Sequence, residues 1–284
     1  MRVRVVSWNV GKRSEPWREL ERMARDGEAD LALLQEAGRP PEEVVDRVDY
    51  VDRVFWNRHL YDRWPLVVRL SDRIAVEPYR QVPPSSDLAE DQIGVSGIGT
   101  IAAGRVIPRD SEAGAFVAVS VYATWLTLHP SAKGSWAYAD ASAHRILSDL
   151  SAFIGHSPSE HRILAAGDLN MFYGATGSRL SMPERERTVW GRMEVLGLEF
   201  LGPQAPHGRS AASTPDDVPR DTKNVPTFYR SGGPEAAVNQ LDYAFASRGF
   251  HKSVSVRAMN DAAEWGPSDH CRLMIEVDTK GGQS

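Results

Sequence analysis

The sequence has one cysteine, Cys271, in 284 residues. A single thiol excludes an internal disulfide framework and any multi-cysteine zinc module. There is no apolar run of about 18 residues or more, so nothing reads as a transmembrane helix. Residues 1–10, MRVRVVSWNV, are too short and too interrupted in their apolar part for a secretory signal, and the expectation is a cytoplasmic protein. Positive charge is not in excess: 33 Lys and Arg stand against 38 Asp and Glu, a formal net charge of −5. That balance argues against a surface that is basic all over, and leaves open an acidic site for a divalent cation. Repeats and low-complexity tracts are also missing.

What is present is an ordinary globular composition, 42% hydrophobic and 25% charged, with enough length to bury a sizeable core. The opening residues alternate: Val3, Val5 and Ser7 share one face, and Arg4, Val6 and Trp8 share the other, which predicts a strand ending at Asn9. Trp17, Leu20, Met23 and Ala24 recur at helical spacing behind Pro16, which predicts a helix over 16–25. Residues 30–35 form a short apolar run of the kind found in strands buried on both faces. A strand, a helix and a strand in this order are the start of an α/β protein. Further strands are expected at 65–70, 73–79, 98–107, 116–124, 162–166, 226–230, 240–247, 252–257 and 272–277, and helices at 135–154 and 184–196. Residues 80–96 and 202–226 read as long irregular loops, and 1–284 as one domain with a short flexible tail at 279–284.

Polar residues recur where strands end: Asn9, Glu36, Asp168 with Asn170, Asp242, and Asp269-His270 ahead of the last strand. Loops at strand ends are where open α/β folds build their sites. Four carboxylates, two amides and one imidazole converging there offer hard oxygen ligands, which suit Mg²⁺ or Mn²⁺ better than zinc. Taken singly, each residue has a plainer explanation as a turn residue, a cap or a solvated charge. Those explanations do not account for the shared placement.

The ordered set Ser7-Trp8-Asn9, Leu34-Gln35-Glu36, Gly167-Asp168-Leu169-Asn170, Leu241-Asp242-Tyr243 and Ser268-Asp269-His270 resembles the endonuclease/exonuclease/phosphatase superfamily, from residue 3 to about 277. The resemblance implies a DNase I-like four-layer α/β/β/α sandwich, two packed mixed sheets flanked by helices. It implies that Glu36, Asn9 and Asp269 form the metal site and that Asp168 orients or deprotonates the attacking water. It implies that Asn170 and His270 contact the phosphate, and that Asp242 orients His270. A central-strand phosphate donor is expected at Tyr122, with Trp125 or His129 as alternatives.

The implied activity is that of a divalent-metal-dependent phosphoesterase using metal-organised water, with a nuclease first. A phosphodiesterase or phosphatase for a nucleotide, inositol phosphate or lipid head group is the alternative, and a catalytically inactive binding module comes last. Nucleic acid, DNA or RNA, is the expected substrate, with a small phosphoester as the alternative; the protein is expected to be a monomer with no membrane partner. Lys12 and Arg179, with Lys133, Arg209, Arg220 and Lys223, are candidates for a phosphate-tracking rim. Trp265, just before Ser268-Asp269-His270, is a candidate for stacking on a base. Gly97-Ile-Gly99 reads as a kinked strand rather than a dinucleotide loop, and Cys271 as a buried apolar residue.

Overall fold

The computed structural model describes residues 1–45, 49–50, 64–84, 87–96, 101–110, 114–134, 136–157, 159–177 and 179–280. The Gly97–Gly99 segment and the tail residues 281–284 lie outside them. Two six-stranded sheets carry the fold. In spatial order the first is Val254–Met259, Arg272–Asp278, Arg2–Asn9, Leu31–Ala37, Trp64–Arg69 and Asp49–Tyr50. The second is Leu198–Gly202, Asp242–Ser247, Ile163–Asp168, Phe116–Tyr122, Ile101–Pro108 and Ile74–Pro78. Each sheet has one parallel pair at its centre, Arg2–Asn9 with Leu31–Ala37 and Phe116–Tyr122 with Ile163–Asp168; the other pairings within these sheets are antiparallel.

The alternation that predicts strands also sorts the layers. Val3, Val5, Leu31 and Leu33 face Ala118, Leu164, Ala166 and Ala244 across a core shared by both sheets. On the outer face of the first sheet, Val6, Trp8, Ala32 and Leu34 pack against Trp17, Leu20 and Met23 of helix Glu15–Arg25. On the outer face of the second, Val119, Val121, Ala165 and Phe245 pack against Ile146 and Leu147 of helix Asp140–Leu150, and against Val189 and Met193 of helix Pro183–Val195. Strands covered on both faces need apolar residues at every position, which is why 31–34 and 163–166 read as continuous apolar runs rather than alternating ones. The result is an α/β/β/α sandwich.

The elements depart from expectation in four places. The helix expected over 135–154 begins only at Asp140, because Ala137–Tyr138 pairs as a short strand with Leu126–Thr127. Trp136 and Tyr138 instead stack on each other, with the Arg185 guanidinium over both rings. Residues 226–230 make only single bridges, at Phe228, where Pro226 has no N–H for a ladder. Strand Leu198–Gly202 was not anticipated, and residues 80–96 hold a small parallel pair, Arg80–Val82 with Gln92–Gly94. Thr279, at the start of the segment 279–284 expected as a tail, is buried, and its N–H and hydroxyl both donate to the Met1 carbonyl.

Candidate active site

Topology brings the polar strand ends together. Two parallel pairs end side by side, one in each sheet, at Asn9 and Gln35-Glu36 and at Tyr122 and Asp168. The antiparallel neighbours begin at that same edge: Asp242 lies in register with Asp168, and the strand preceded by His270 pairs antiparallel to Arg2–Asn9. Six segments far apart in sequence therefore meet at one rim of the sandwich.

Local backbone then aims the side chains. Glu36 sits where the pairing of Leu31–Ala37 with Trp64–Arg69 shifts register, and its φ is +47°. A bulge with a left-handed residue turns a side chain out of the strand's alternation. Asn170 also takes a left-handed φ, +49°, immediately after the strand, with its N–H donating to Asp168 Oδ1 at 2.8 Å. Gly167 is required between the sheets. A Cβ there would lie 2.0 Å from the Val121 carbonyl and 3.0 Å from Gln35 Nε2.

The side chains form a network that crosses from sheet to sheet. Asn9 Nδ2 donates to Asp168 Oδ2 at 2.9 Å and, more weakly, to Glu36 Oε1 at 3.4 Å. The Tyr122 hydroxyl donates to Glu36 Oε1 at 2.9 Å. His270 Nδ1 lies 2.8 Å from Asp242 Oδ2, and its other ring nitrogen faces Asp168 Oδ2 at 3.9 Å. Ser268 Oγ donates to the Asn9 carbonyl at 2.7 Å and tethers the Asp269-His270 turn to the end of the first strand.

Electrostatics separates the two titrating groups. Burial disfavours the His270 imidazolium, but the Asp242 and Asp168 charges outweigh that and raise its pKa to about 9. Burial raises the Asp168 pKa to about 7, against the opposing pull of His270 and of its hydrogen bonds from Asn170 and Asn9. Between those values a carboxylate base and an imidazolium donor coexist, the protonation states that acid–base work on an ester requires. Burial also drives the Cys271 thiol well above its usual range, so it is an inert packing residue.

Glu36, Asp168, Asn170, Asp269 and His270 line one cleft of about 420 Å³. Its other walls are Trp125, Phe172, Leu180, Phe228 and Leu241, with Arg230 and Asn239. Among the described residues no three His, Cys, Asp or Glu side chains are grouped closely enough to cage a metal. Glu36 and Asp269 nevertheless present two carboxylates to one cleft, and Mg²⁺ is commonly held by one or two carboxylates, with water and substrate phosphate completing its shell. The donor set fits that ion. Asn9 offers the site its N–H₂ group, since its Oδ1 accepts the Gly11 N–H at 3.0 Å. In this arrangement that N–H₂ group braces Glu36 and Asp168.

Several expected residues stand elsewhere. Trp265 is 1% exposed, its indole N–H bonded to the Ser268 carbonyl at 3.0 Å, so it buttresses the Asp269-His270 turn and offers no stacking face. The exposed tryptophan of the cleft is Trp125, at 42%. His129 is exposed and bonded to Ser131, away from the cleft lining. Arg179 pairs with Asp216 at 2.9 Å, and Arg209 donates to the carbonyls of Asn260, Ser210 and Pro234. Neither these arginines nor Lys12 line the cleft, where Arg230 stands alongside the His270 imidazolium. Phe228, Arg230 and Asn239 carry no sequence signal of their own. The bridges of Phe228 to Asn239 and to His270, with backbone hydrogen bonds at Thr227 and Tyr229, bring their segments to the site.

The model of the endonuclease/exonuclease/phosphatase family matches residues 6–270. No curated protein matches the chain. Solved structures share the fold at low identity. An AP endonuclease from Leishmania major is 17% identical with a TM-score of 0.64, over 97% of this chain and 87% of that one. An AP endonuclease from Archaeoglobus fulgidus is 15% identical with a TM-score of 0.61, over 97% and 99%. A 3′ phosphatase from Neisseria, bound to a product DNA hairpin, is 15% identical with a TM-score of 0.60, over 97% and 99%.

Proposed function

Because the chain belongs to the endonuclease/exonuclease/phosphatase family, we propose that it is a divalent-metal-dependent phosphoesterase that hydrolyses phosphodiester bonds, with nucleic acid as its substrate. The observation that carries this reading is the cleft shared by Asp168, the His270–Asp242 pair, Asn170 and the carboxylates of Glu36 and Asp269. Asp168 takes a proton from the attacking water as the water oxygen bonds to phosphorus; the ester P–O bond breaks, its electron pair leaves on the alcohol oxygen, and that oxygen takes a proton from solvent. His270, held cationic by Asp242, donates to a phosphate oxygen, and Asn170 donates a further N–H. Glu36 and Asp269 would hold Mg²⁺ or Mn²⁺, which supplies charge neutralisation at the phosphate and activation of water. Tyr122 and Asn9 keep Glu36 in place. In this reading residues 1–284 form one domain that acts as a monomer; the core shared by both sheets supports the single domain.

Nucleic acid is preferred because structural neighbours are named as AP endonucleases and as a phosphatase bound to DNA. A small phosphoester is the second reading. It is favoured by the net charge of −5 and by a cleft lining that adds one arginine, Arg230, to the His270 imidazolium. An inactive binding module is disfavoured by the complete set of acid, base and donor groups. One substrate panel tests all three: plasmid, single-stranded and abasic-site DNA, RNA, bis-p-nitrophenyl phosphate and inositol phosphates, with Mg²⁺ and with Mn²⁺. EDTA-sensitive cleavage of a polynucleotide is the expected result. Turnover of the small esters alone would transfer the assignment to them, and no EDTA-sensitive turnover of any substrate would overturn the enzymatic reading.

A further inference from the structure

Trp125 stands three residues beyond strand Phe116–Tyr122, its ring forming part of the cleft wall beside Asn170. Its indole N–H donates to Asn170 Oδ1 at 2.7 Å. The opposite end of the same amide is also fixed, for Asn170 Nδ2 donates to the Ala123 carbonyl at 3.0 Å. An indole N–H can only donate and a backbone carbonyl can only accept. The two contacts therefore distinguish the oxygen of the amide from its nitrogen. Rotating the amide by half a turn would set donor against donor at Trp125 and acceptor against acceptor at Ala123. The Asn170 main chain is fixed as well, through its N–H bond to Asp168 Oδ1 and its left-handed φ of +49°. An amide nitrogen carries two hydrogens, and Ala123 takes one of them. The other belongs to a side chain that lines the cleft.

We infer that Trp125 is a positioning residue for the hydrolytic reaction: its indole N–H holds the Asn170 amide in the one orientation that presents the remaining Nδ2–H to a non-bridging phosphate oxygen. The inference rests on the phosphoesterase reading above and deepens it. It also assigns Trp125 a task different from direct phosphate contact, because the N–H that would make that contact is already spent on Asn170. The competing explanation is that Trp125 serves only as an apolar wall, in which case the ring matters and the N–H does not.

The substitution W125F separates the two, since phenylalanine keeps an aromatic ring and removes the donor. Trp125 is half-exposed, so W125F should unfold at the wild-type temperature. With bis-p-nitrophenyl phosphate and Mg²⁺, W125F should lower kcat about tenfold and leave KM nearly unchanged, the scale of one lost charge-orienting hydrogen bond. In an N170A background W125F should cost nothing further, because the residue it positions is gone. A wild-type kcat in W125F, or an equal loss in both backgrounds, would overturn the assignment. A second readout does not depend on turnover. The indole N–H resonance of Trp125, identified by its loss in W125F, should shift in N170A. Added inorganic phosphate should shift the Asn170 side-chain amide in the wild type and not in W125F. An indole resonance blind to N170A would refute the positioning. A protein that hydrolyses no ester yet shows the phosphate shift and its loss in W125F would refute the enzymatic reading and retain the positioning.

Discussion

Replacing Asp242 with Asn should move the alkaline limb of the pH–rate profile and leave the fold intact. Asp242 Oδ2 holds His270 Nδ1 at 2.8 Å, while its Oδ1 is buried without a hydrogen-bond partner. Asn can keep an oxygen toward His270 and place its N–H₂ where Oδ1 stood, so the substitution removes a half-compensated buried charge without opening a cavity. What it takes away is the leading influence holding the imidazolium at about 9 against burial. If His270 falls back to an ordinary histidine value near 6.5, about 24% of it is protonated at pH 7 and about 3% at pH 8. In the wild type it is almost fully protonated at both. Asp168 must be ionised to act as the base, so wild-type kcat/KM should rise through about pH 7 and fall through about pH 9. The ratio of wild-type to Asp242→Asn activity should then grow with pH, from about fourfold at pH 7 to about thirtyfold at pH 8. Loss of the Asp242 charge also removes one of the influences raising Asp168, which makes the gap at pH 7 smaller still. The assay is kcat/KM against bis-p-nitrophenyl phosphate from pH 6 to 10 at fixed Mg²⁺, with a parallel NMR titration of His270. A loss of equal size at every pH would mean that Asp242 only orients the ring, and the electrostatic argument would be refuted.

Other expectations are simpler to state. Glu36→Gln keeps the acceptor that Tyr122 and Asn9 bind but removes the charge. It should cut turnover by about two to four orders of magnitude and raise the Mg²⁺ concentration needed for half activity, as read by metal titration. Chelation with EDTA should abolish wild-type turnover and added Mg²⁺ or Mn²⁺ should restore it; chelator-resistant hydrolysis would contradict the assignment of Glu36 and Asp269 to a cation. Gly167→Ala would drive a methyl group to 2.0 Å from the Val121 carbonyl, which is strand backbone, and to 3.0 Å from the Gln35 side chain. A destabilisation of about 3 kcal/mol or more is expected in chemical denaturation, and an unchanged midpoint would show that the sheet gives way more easily than packing implies.

The strands and the chemical groups of the site were legible because each polar residue closes or opens a β-branched or apolar run, a pattern that survives without knowledge of the tertiary structure. Asn9 after RVRVVSW and Asp168 after ILAAG are of this kind. The cleft wall was not legible in the same way. Whether a tryptophan is buried is decided by what packs on it: Trp265, expected to stack on a base, is enclosed, and the exposed tryptophan of the cleft is Trp125. Whether an arginine is available is decided by its neighbours: Arg179 and Arg209 looked like rim cations until Asp216 and three backbone carbonyls were seen to hold them. The late start of helix Asp140–Leu150 has the same origin. Trp136, Ala139 and Ala143 share helical spacing, but a strand partner at Leu126–Thr127 claims residues 137–138 first.

The network that does the chemistry is also a clasp between the sheets. Asn9 from the first sheet donates to Asp168 of the second, and Tyr122 from the second donates to Glu36 of the first. Deeper along the same edge, Gln35 Nε2 reaches Ser120 Oγ at 3.0 Å, and Ser120 donates to the Leu34 carbonyl. His270 and Asp242 close the clasp at the far side. Truncating any of these residues therefore does two things at once: it removes a reacting group, and it strands a buried partner at a cost of about 1–3 kcal/mol. An alanine scan of this site would confound lost chemistry with a loosened sandwich edge. Isosteric changes such as Glu36→Gln, Asp242→Asn and Asp168→Asn keep most of the hydrogen-bonding frame while altering charge, and only they can separate the two contributions. The same coupling explains why the site sits where the parallel pairs end. There the two sheets need polar stitching where their shared apolar core gives out, and the residues that supply it are already oriented by their hydrogen bonds before a substrate arrives.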